Sequence, residues 1–191
     1  MKKYFLLTVF TLAATLWVNA QNLDKMQWFN EPESYTIKNG KLEMDVPAQT
    51  DYWRIAHYGF TVDDGPFLYT TVGGEFEAKI KVSGDYKVRF DQAGMMIRKD
   101  PSDWSVIELK EPIPFLWLKA VRRLDAIELY YSFDDKEYTM MRTLWMQDNC
   151  PLMVGPVAAC PDGQGFKAVF SHFKVKHLPD QRRVEWLMNN Q

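Results

Sequence analysis

Alternating apolar and charged residues make the segment from Gly73 to Arg98 the clearest strand signal in the chain. Between residues 76 and 82 every second side chain is apolar, which is the period of a half-buried strand. The turn residues Ser83-Gly84-Asp85 predict a break before the alternation resumes. One row of the second segment contains Ala93, Met95 and Ile97, and the other contains Gln92, Gly94, Met96 and Arg98. The sequence therefore predicts a core strand whose second face meets a ligand.

Short alternating segments separated by turn residues fill the rest of the chain. Asn39-Gly40 predicts a tight hairpin, and residues 115–123 and 126–133 predict another. In the second hairpin we expect the side chains of Ile127, Leu129, Tyr131 and Phe133 to face the core. Many short strands with turns every 8 to 12 residues or so are typical of a sandwich or jelly roll. We predict an all-β sandwich of two antiparallel sheets over residues 21–178, and a tail at 179–191 with a short helix at 181–188.

The first twenty residues have the pattern of a secretory signal peptide rather than of a folded element. Lys2 and Lys3 precede an apolar stretch at 5–12, and Val18-Asn19-Ala20 places small residues at the cleavage positions. This predicts an exported protein, periplasmic or extracellular; the alternative is an uncleaved N-terminal anchor. No later run reaches the roughly 18 apolar residues of a membrane helix, so we expect no span after signal removal.

Composition narrows the classes of partner. The formal net charge is −2, it becomes more negative once the two signal-peptide lysines are removed, and no basic run is present. Nucleic acid is therefore not an expected partner. The chain contains seven Trp, nine Tyr and twelve Phe. Core packing explains most of these rings, but exposed rings also bind sugars.

The two cysteines are predicted to be free. Cys150 and Cys160 flank a predicted strand at 151–159, and at about 3.3 Å per residue this strand would hold them roughly 30 Å apart. A disulfide requires Cα atoms within about 7 Å.

No recognised catalytic or metal motif is present. The Cys and His spacings do not suggest zinc. Acidic pairs at 63–64 and 134–135 could bind calcium, but acidic turns are more often simply solvated, and we expect no metal and no other cofactor. The E-x-D-x-x-E arrangement of some sandwich glycosidases, the G-x-S-x-G motif and Gly-rich phosphate loops are all absent from the sequence.

A binding site is better supported than a catalytic one. The aromatic segment 52–60 and the polar row of the strand at 92–98 together mix flat rings with hydrogen-bond donors, and Gly94 would let a ligand approach the backbone. The candidate ligand-binding residues are Trp53, Arg54, His57, Tyr58, Gln92, Gly94 and Arg98. The alternative is a polar outer face held by buried aromatic anchors.

An ordered series of segments carries a family resemblance. The segments are T-D-Y-W-R-I-A-H-Y-G-F, D-Q-A-G-M-M-I-R, S-D-W-S, W-L-K-A-V-R-R, Y-S-F-D and V-G-P-V-A. They resemble the "regulation of enolase protein" family of concanavalin A-like lectin and glucanase domains, from about Trp28 to Val175. The resemblance implies a β jelly roll, and it implies no particular substrate.

The chain departs from that family's pattern in two places. Members usually carry a further hairpin between the positions of Arg98 and Ser102, so its loss is predicted to narrow the sheet and to remove part of any groove. Members also tend to have Gly where this chain has Leu124 and Asp135. Because a positive φ is costly for Leu, Leu124 predicts a different turn type.

These observations together predict an exported, non-catalytic domain that binds an oligosaccharide or polysaccharide on its concave face. One alternative is a glycan-active hydrolase whose carboxylates meet only in space. Another is a structural or partner-binding domain without a sugar site.

Overall fold

Strands form where the sequence alternates, as seen in the computed structural model, which describes residues 22–109, 113–180 and 188–189. In the central strand at 76–84 the apolar residues are buried and the intervening charged residues are half-buried. The strand at 116–123 repeats this pattern without interruption. Burial of alternate side chains on one face thus drives most of the architecture.

Fourteen strands follow a short 3-10 turn at Leu23–Lys25 in the described residues. They are β1 Gln27–Phe29, β2 Tyr35–Lys38, β3 Lys41–Val46, β4 Tyr52–Arg54, β5 Thr61–Asp63, β6 Phe67–Val72, β7 Phe76–Gly84, β8 Gln92–Asp100, β9 Asp103–Leu109, β10 Leu116–Arg123, β11 Ala126–Ser132, β12 Thr139–Trp145, β13 Leu152–Ala159 and β14 Phe166–His177.

Two large antiparallel sheets pack into a sandwich, which confirms the predicted fold class. The five-stranded sheet has the order β1-β6-β13-β8-β9, and the seven-stranded sheet has the order β12-β11-β10-β7-β14-β3-β2. Strands β4 and β5 form a separate hairpin. Among the described residues, no helix has the length and apolar character needed to cross a bilayer.

The core lies between the two sheets. Its fully buried members include Ile80 and Leu118 from the seven-stranded sheet and Met95 and Ile97 from β8. Ala93 belongs to the same cluster. The predicted orientation of β8 is therefore correct.

Turn residues determine the tight connections, in one case against expectation. Asn39 and Gly40 have φ values of 53° and 71°, the left-handed pair of a type I′ hairpin between β2 and β3. Leu124 and Asp135 also have left-handed φ values, 51° and 63°. The prediction that Leu124 would avoid this backbone conformation is wrong; the turn between β10 and β11 retains it despite the steric cost of a Leu side chain.

The prediction for the cysteines is confirmed, whereas one predicted core residue of β11 is exposed. Cys150 and Cys160 flank β13 and are both free. Tyr131 packs against the core, but Phe133 is 62% exposed, contrary to prediction. The reason is that β11 ends at Ser132, whose buried hydroxyl accepts the amides of Asp134 and Asp135 and starts a turn.

The predicted signal peptide lies outside the described residues. Of the predicted C-terminal helix at 181–188, only Met188 is described, and it is helical.

Replacing Ile97 tests the core assignment. Ile97→Ala should lower the free energy of unfolding by about 2–5 kcal/mol, because it removes fully buried methyl groups and leaves a cavity. Urea unfolding measures the change. Met141→Ala is the control, since Met141 is 52% exposed on β12. Equal stability of Ile97→Ala and wild type would contradict the orientation of β8.

Candidate functional site

The five-stranded sheet has a second apolar surface on the side facing away from the main core. Its buried members are Tyr52, Phe67, Met96, Val157 and Ala159. Tyr52 belongs to β4, so the β4–β5 hairpin covers part of this surface. Strand β8 consequently contributes to two apolar layers, one on each of its faces.

A buried ion pair attaches this hairpin to β8. Arg98 Nη1 and Nη2 donate to Asp63 Oδ1 and Oδ2 at 2.5 and 2.6 Å. The guanidinium carbon lies 4.5 Å from the centre of the Phe29 ring. Burial works to lower the pKa of Arg98, but hydrogen bonding and the negative charge of Asp63 raise it above its ordinary value.

Arg98 thus lies on the predicted face of β8, but it is covered. Its side chain is 1% exposed, because the hairpin lies over the end of β8 where Arg98 projects. Arg98 attaches the hairpin to β8 and is not among the residues that line the cavity.

The base of the hairpin depends on close packing at Gly65. Tyr52 Oη donates to the Gly65 carbonyl at 2.5 Å, and Asn30 Nδ2 donates to the same oxygen at 3.1 Å. A Cβ on Gly65 would lie 2.6 Å from the Ala158 carbonyl oxygen, so a larger residue cannot fit without displacing backbone. Burial raises the pKa of Tyr52, which keeps its hydroxyl a neutral donor.

A cavity of about 790 Å³ opens between the hairpin and the far end of the sheet. The hairpin contributes Trp53, Arg54, Tyr58 and Phe60, and the sheet contributes Gln92, Gly94, Trp104 and Val106. Its volume falls within the range of roughly 300–1,000 Å³ that small-molecule sites occupy.

Three aromatic rings of the hairpin form one cluster at the cavity, which we call the ring cluster: Trp53, Tyr58 and Phe60. The Tyr58 and Phe60 rings are nearly parallel, with centres 5.8 Å apart and planes at 16°. Trp53 lies 5.5 Å from Tyr58 and 6.3 Å from Phe60. Tyr58 is 64% exposed and Phe60 46%. Rings that hold one another while exposing their faces are suited to stacking against a ligand.

The turn that carries the ring cluster has an unusual backbone. Ile55, His57 and Gly59 all have left-handed φ values, of 58°, 65° and 74°. This conformation is a genuine outlier for the β-branched Ile55. The Trp53 indole donates to the Ala56 carbonyl at 2.8 Å, and short backbone hydrogen bonds close the turn. Strained turns of this kind cluster at ligand sites.

Polar groups complete the cavity wall. Gln92 Nε2 donates to Asp51 Oδ1 at 3.1 Å, which links the sheet to the start of the hairpin. Arg54 Nη1 donates to the Pro101 carbonyl at 3.1 Å. Arg142 of β12 also lines the cavity. Hydrogen-bonding groups therefore surround the aromatic surface.

The structure brings together most of the predicted site residues. Trp53, Arg54, Tyr58, Gln92 and Gly94 line the cavity. His57 does not line it, although its ring centre lies 4.5 Å from that of Tyr58.

The cavity also contains residues that sequence reasoning missed, among them Asp51, Phe60, Trp104 and Arg142. Phe60 ends the aromatic segment at 52–60 and could have been included on that basis. Asp51, Trp104 and Arg142 carry no local signal, because only the tertiary fold brings them to the cavity.

The acidic pairs that suggested calcium have other partners. Asp63 pairs with Arg98, while Asp134 accepts the amides of residues 136 and 137. These amides lower the pKa of Asp134. Within the described segments, no group of three or more His, Cys, Asp or Glu side chains could hold a metal ion.

Comparison with known families gives a clear match. A family model described as "Protein of unknown function (DUF1349)" matches residues 28–102 and 98–178. The chain belongs to this family. The two matched segments meet at the short β8–β9 turn, where the sequence predicts a missing hairpin.

A yeast protein sequence and a yeast crystal structure are each similar to this chain along nearly their whole length. "Regulation of enolase protein 1" of Saccharomyces cerevisiae is 29% identical over 185 residues, covering 83% of this chain and 93% of that protein. The crystal structure of a functionally unknown protein from the same yeast matches with a TM-score of 0.75 and 27% identity, over 82% of this chain and 98% of that one. The resemblance seen in the sequence is confirmed.

More distant structures share only the fold. The GH43 protein BlXynB from Bacillus licheniformis matches with a TM-score of 0.60 and 15% identity, over 82% of this chain and 39% of that one. Lectin I-B4 from Griffonia simplicifolia, in its metal-free form, matches with a TM-score of 0.51 and 8% identity, over 84% of this chain and 95% of that one. The sandwich is therefore of the type found in lectins and glycoside hydrolases, which is compatible with carbohydrate binding.

The ion pair beneath the cavity can be tested by removing its anion. Asp63→Asn should lower the free energy of unfolding by about 3 kcal/mol, because it leaves the buried Arg98 without a counter-charge. Urea unfolding would measure the loss. The control is Asp64→Asn, an exposed neighbour whose replacement keeps the acceptor for the Asp51 amide. If the two variants are equally stable, the ion pair does not hold the hairpin.

Proposed function

We propose that this protein binds a carbohydrate, without hydrolysing it, in the cavity between the β4–β5 hairpin and the five-stranded sheet. The observation that carries the proposal is the ring cluster, which presents partly exposed aromatic faces beside hydrogen-bonding groups. The fold shared with a lectin and with a GH43 protein supports the same ligand class, although fold alone does not assign a site.

The chemistry of a sugar matches the two kinds of surface in the cavity. One face of a pyranose ring is largely C–H and can stack on an aromatic ring, as on Tyr58 or Trp53, gaining nonpolar burial and contact with the π face. The hydroxyl groups around its edge need donors and acceptors. Gln92, Asp51 and Arg54 supply these along the cavity wall.

A hydrolase remains the second candidate because two carboxylates, those of Asp51 and Asp162, line the cavity. Glycoside hydrolysis requires two carboxylic groups on either side of the scissile bond. However, Asp51 already accepts hydrogen bonds from the Gln92 side chain and from the backbone amide of Tyr52. Binding without hydrolysis is therefore the better-supported function.

Single-ring variants test the site. Trp53→Ala and Tyr58→Ala should each weaken binding about threefold to tenfold, because each removes one stacking surface. Isothermal titration with a panel of cello-, xylo-, manno- and arabino-oligosaccharides would measure the change. Trp145→Ala is the matched control, since Trp145 is 70% exposed on β12 and does not line the cavity.

The outcomes separate the three candidate functions. Binding that both ring variants weaken and Trp145→Ala leaves intact supports the proposal. Release of shorter sugars during incubation, abolished by Asp51→Asn, would favour the hydrolase. Absence of binding to every oligosaccharide in the panel would favour a structural or partner-binding role.

We also propose that the protein acts outside the cytoplasm, after removal of residues 1–20. The support is the sequence pattern of a basic start, an apolar stretch and small residues before position 21. Protein secreted from the producing cell should have an N-terminal peptide that begins at Gln21. Mass spectrometry that finds Lys2 and Lys3 in the mature protein would contradict cleavage there.

A further inference from the structure

The outer face of the seven-stranded sheet, on the opposite side of the sandwich from the cavity, carries a row of lysines. Lys79 of β7 lies directly opposite Lys119 of β10 on one side and Lys174 of β14 on the other. Neighbouring strands are about 4.8 Å apart, so the row spans roughly 10 Å. Like charges placed directly opposite each other destabilise a sheet. This row therefore needs a compensating anion.

One carboxylate of the chain reaches the row. Asp135, in the β11–β12 turn, accepts from Lys79 Nζ and from Tyr138 Oη, both at 2.6 Å. Burial works to raise the pKa of Asp135, but these two hydrogen bonds and the charge of Lys174 lower it overall. A carboxylate of the chain therefore already occupies the middle of the row.

The ammonium groups of two further lysines contact aromatic rings rather than carboxylates. Lys119 Nζ lies 4.0 Å from the centre of the Tyr138 ring and 4.7 Å from that of Tyr130. Lys81, two residues after Lys79 on the same face, has Nζ 3.7 Å from the centre of the Phe115 ring. Neither lysine forms a salt bridge with any residue in the described part of the chain.

We propose that this face is a second ligand site, specific for an acidic oligosaccharide whose carboxylate or sulfate groups pair with Lys81, Lys119 and Lys174. A row of lysines about 10 Å long suits a chain with repeated negative charges better than a single small anion. The half-buried Trp117 lies in register with Lys81 and presents a ring beside it. Aromatic rings beside lysine ammonium groups suit an oligosaccharide that carries acidic groups.

The surroundings of the row disfavour nucleic acid. Glu77 and Glu128 lie on the same face on either side of Val121, next to the lysine row. A nucleic acid carries one charge on every phosphate and is bound by an extended basic surface. A short acidic oligosaccharide can contact the lysines of the row without lying across the glutamates.

The experiment uses the full mature chain and defined probes. Oligogalacturonate provides carboxylates, a heparin oligosaccharide provides sulfates, and xylohexaose is the neutral probe. Titrations at low and physiological salt should show binding of at least one acidic probe that weakens as salt rises. The acidic probe that binds more tightly identifies the functional group.

Charge variants locate the site. Lys81→Gln with Lys119→Gln should weaken acidic-probe binding about fivefold or more, because it removes two cations that have no described acidic partner. The matched control is Lys25→Gln with Lys87→Gln, two exposed lysines that lie outside the seven-stranded sheet. Asp135→Asn should strengthen binding about threefold, since it removes the competing anion. Asn tolerates the left-handed φ of 63° and retains an acceptor for Tyr138.

Three results would overturn this proposal: no binding of either acidic probe, equal binding by the Lys81/Lys119 variant and wild type, or equally tight binding of oligothymidylate. The last result would indicate a general polyanion or nucleic-acid surface. The test is independent of the cavity, because Trp53→Ala should leave acidic-probe binding unchanged. If one of the two proposed sites is disproved, the proposal for the other site is therefore unaffected.

Discussion

The buried ion pair between Arg98 and Asp63 is the contact on which the candidate site depends. It joins the end of strand β8 to the short β4–β5 hairpin, which does not pair with either large sheet. A two-stranded hairpin is marginally stable by itself, so its geometry is set by what it packs against. The cost of burying a guanidinium is offset because both of its Nη atoms meet carboxylate oxygens and a ring covers it. The ion pair thus helps to hold in place the hairpin that forms one wall of the cavity.

Strand β8 explains how one sheet supports both a core and a site. Its inward side chains fill the space between the sheets, while Gln92 and Gly94 are left for the cavity and Met96 for the second apolar cluster. On a strand that is buried on both faces, each polar group without a hydrogen-bond partner costs free energy. Gln92 is hydrogen-bonded to Asp51 and the two Nη atoms of Arg98 to Asp63, whereas the buried Nε of Arg98 has no partner among the described residues.

The sequence was sufficient to predict the sandwich and the orientation of β8, because alternation determines both and alternation is local. Five of the seven candidate ligand-binding residues line the cavity, and their role as a site stays a prediction. Alternation could not reveal that Arg98 is covered, because the covering carboxylate lies 35 residues away on another element. The same limit applies to Arg142, which reaches the cavity from the edge of the other sheet. At Leu124 a local signal was misleading. The Leu side chain disfavours a left-handed φ, but the hairpin between β10 and β11 imposes one.

The left-handed residues at 55–59 have a consequence for any partner of the ring cluster. A chain that adopts this turn has already given up backbone freedom, and the indole of Trp53 is fixed by its bond to Ala56. A binding partner therefore meets a preorganised surface and loses little affinity to ordering it. Selectivity then arises from the fixed spacing and tilt of the rings, so rigid, flat-faced molecules are favoured over flexible ones of equal size.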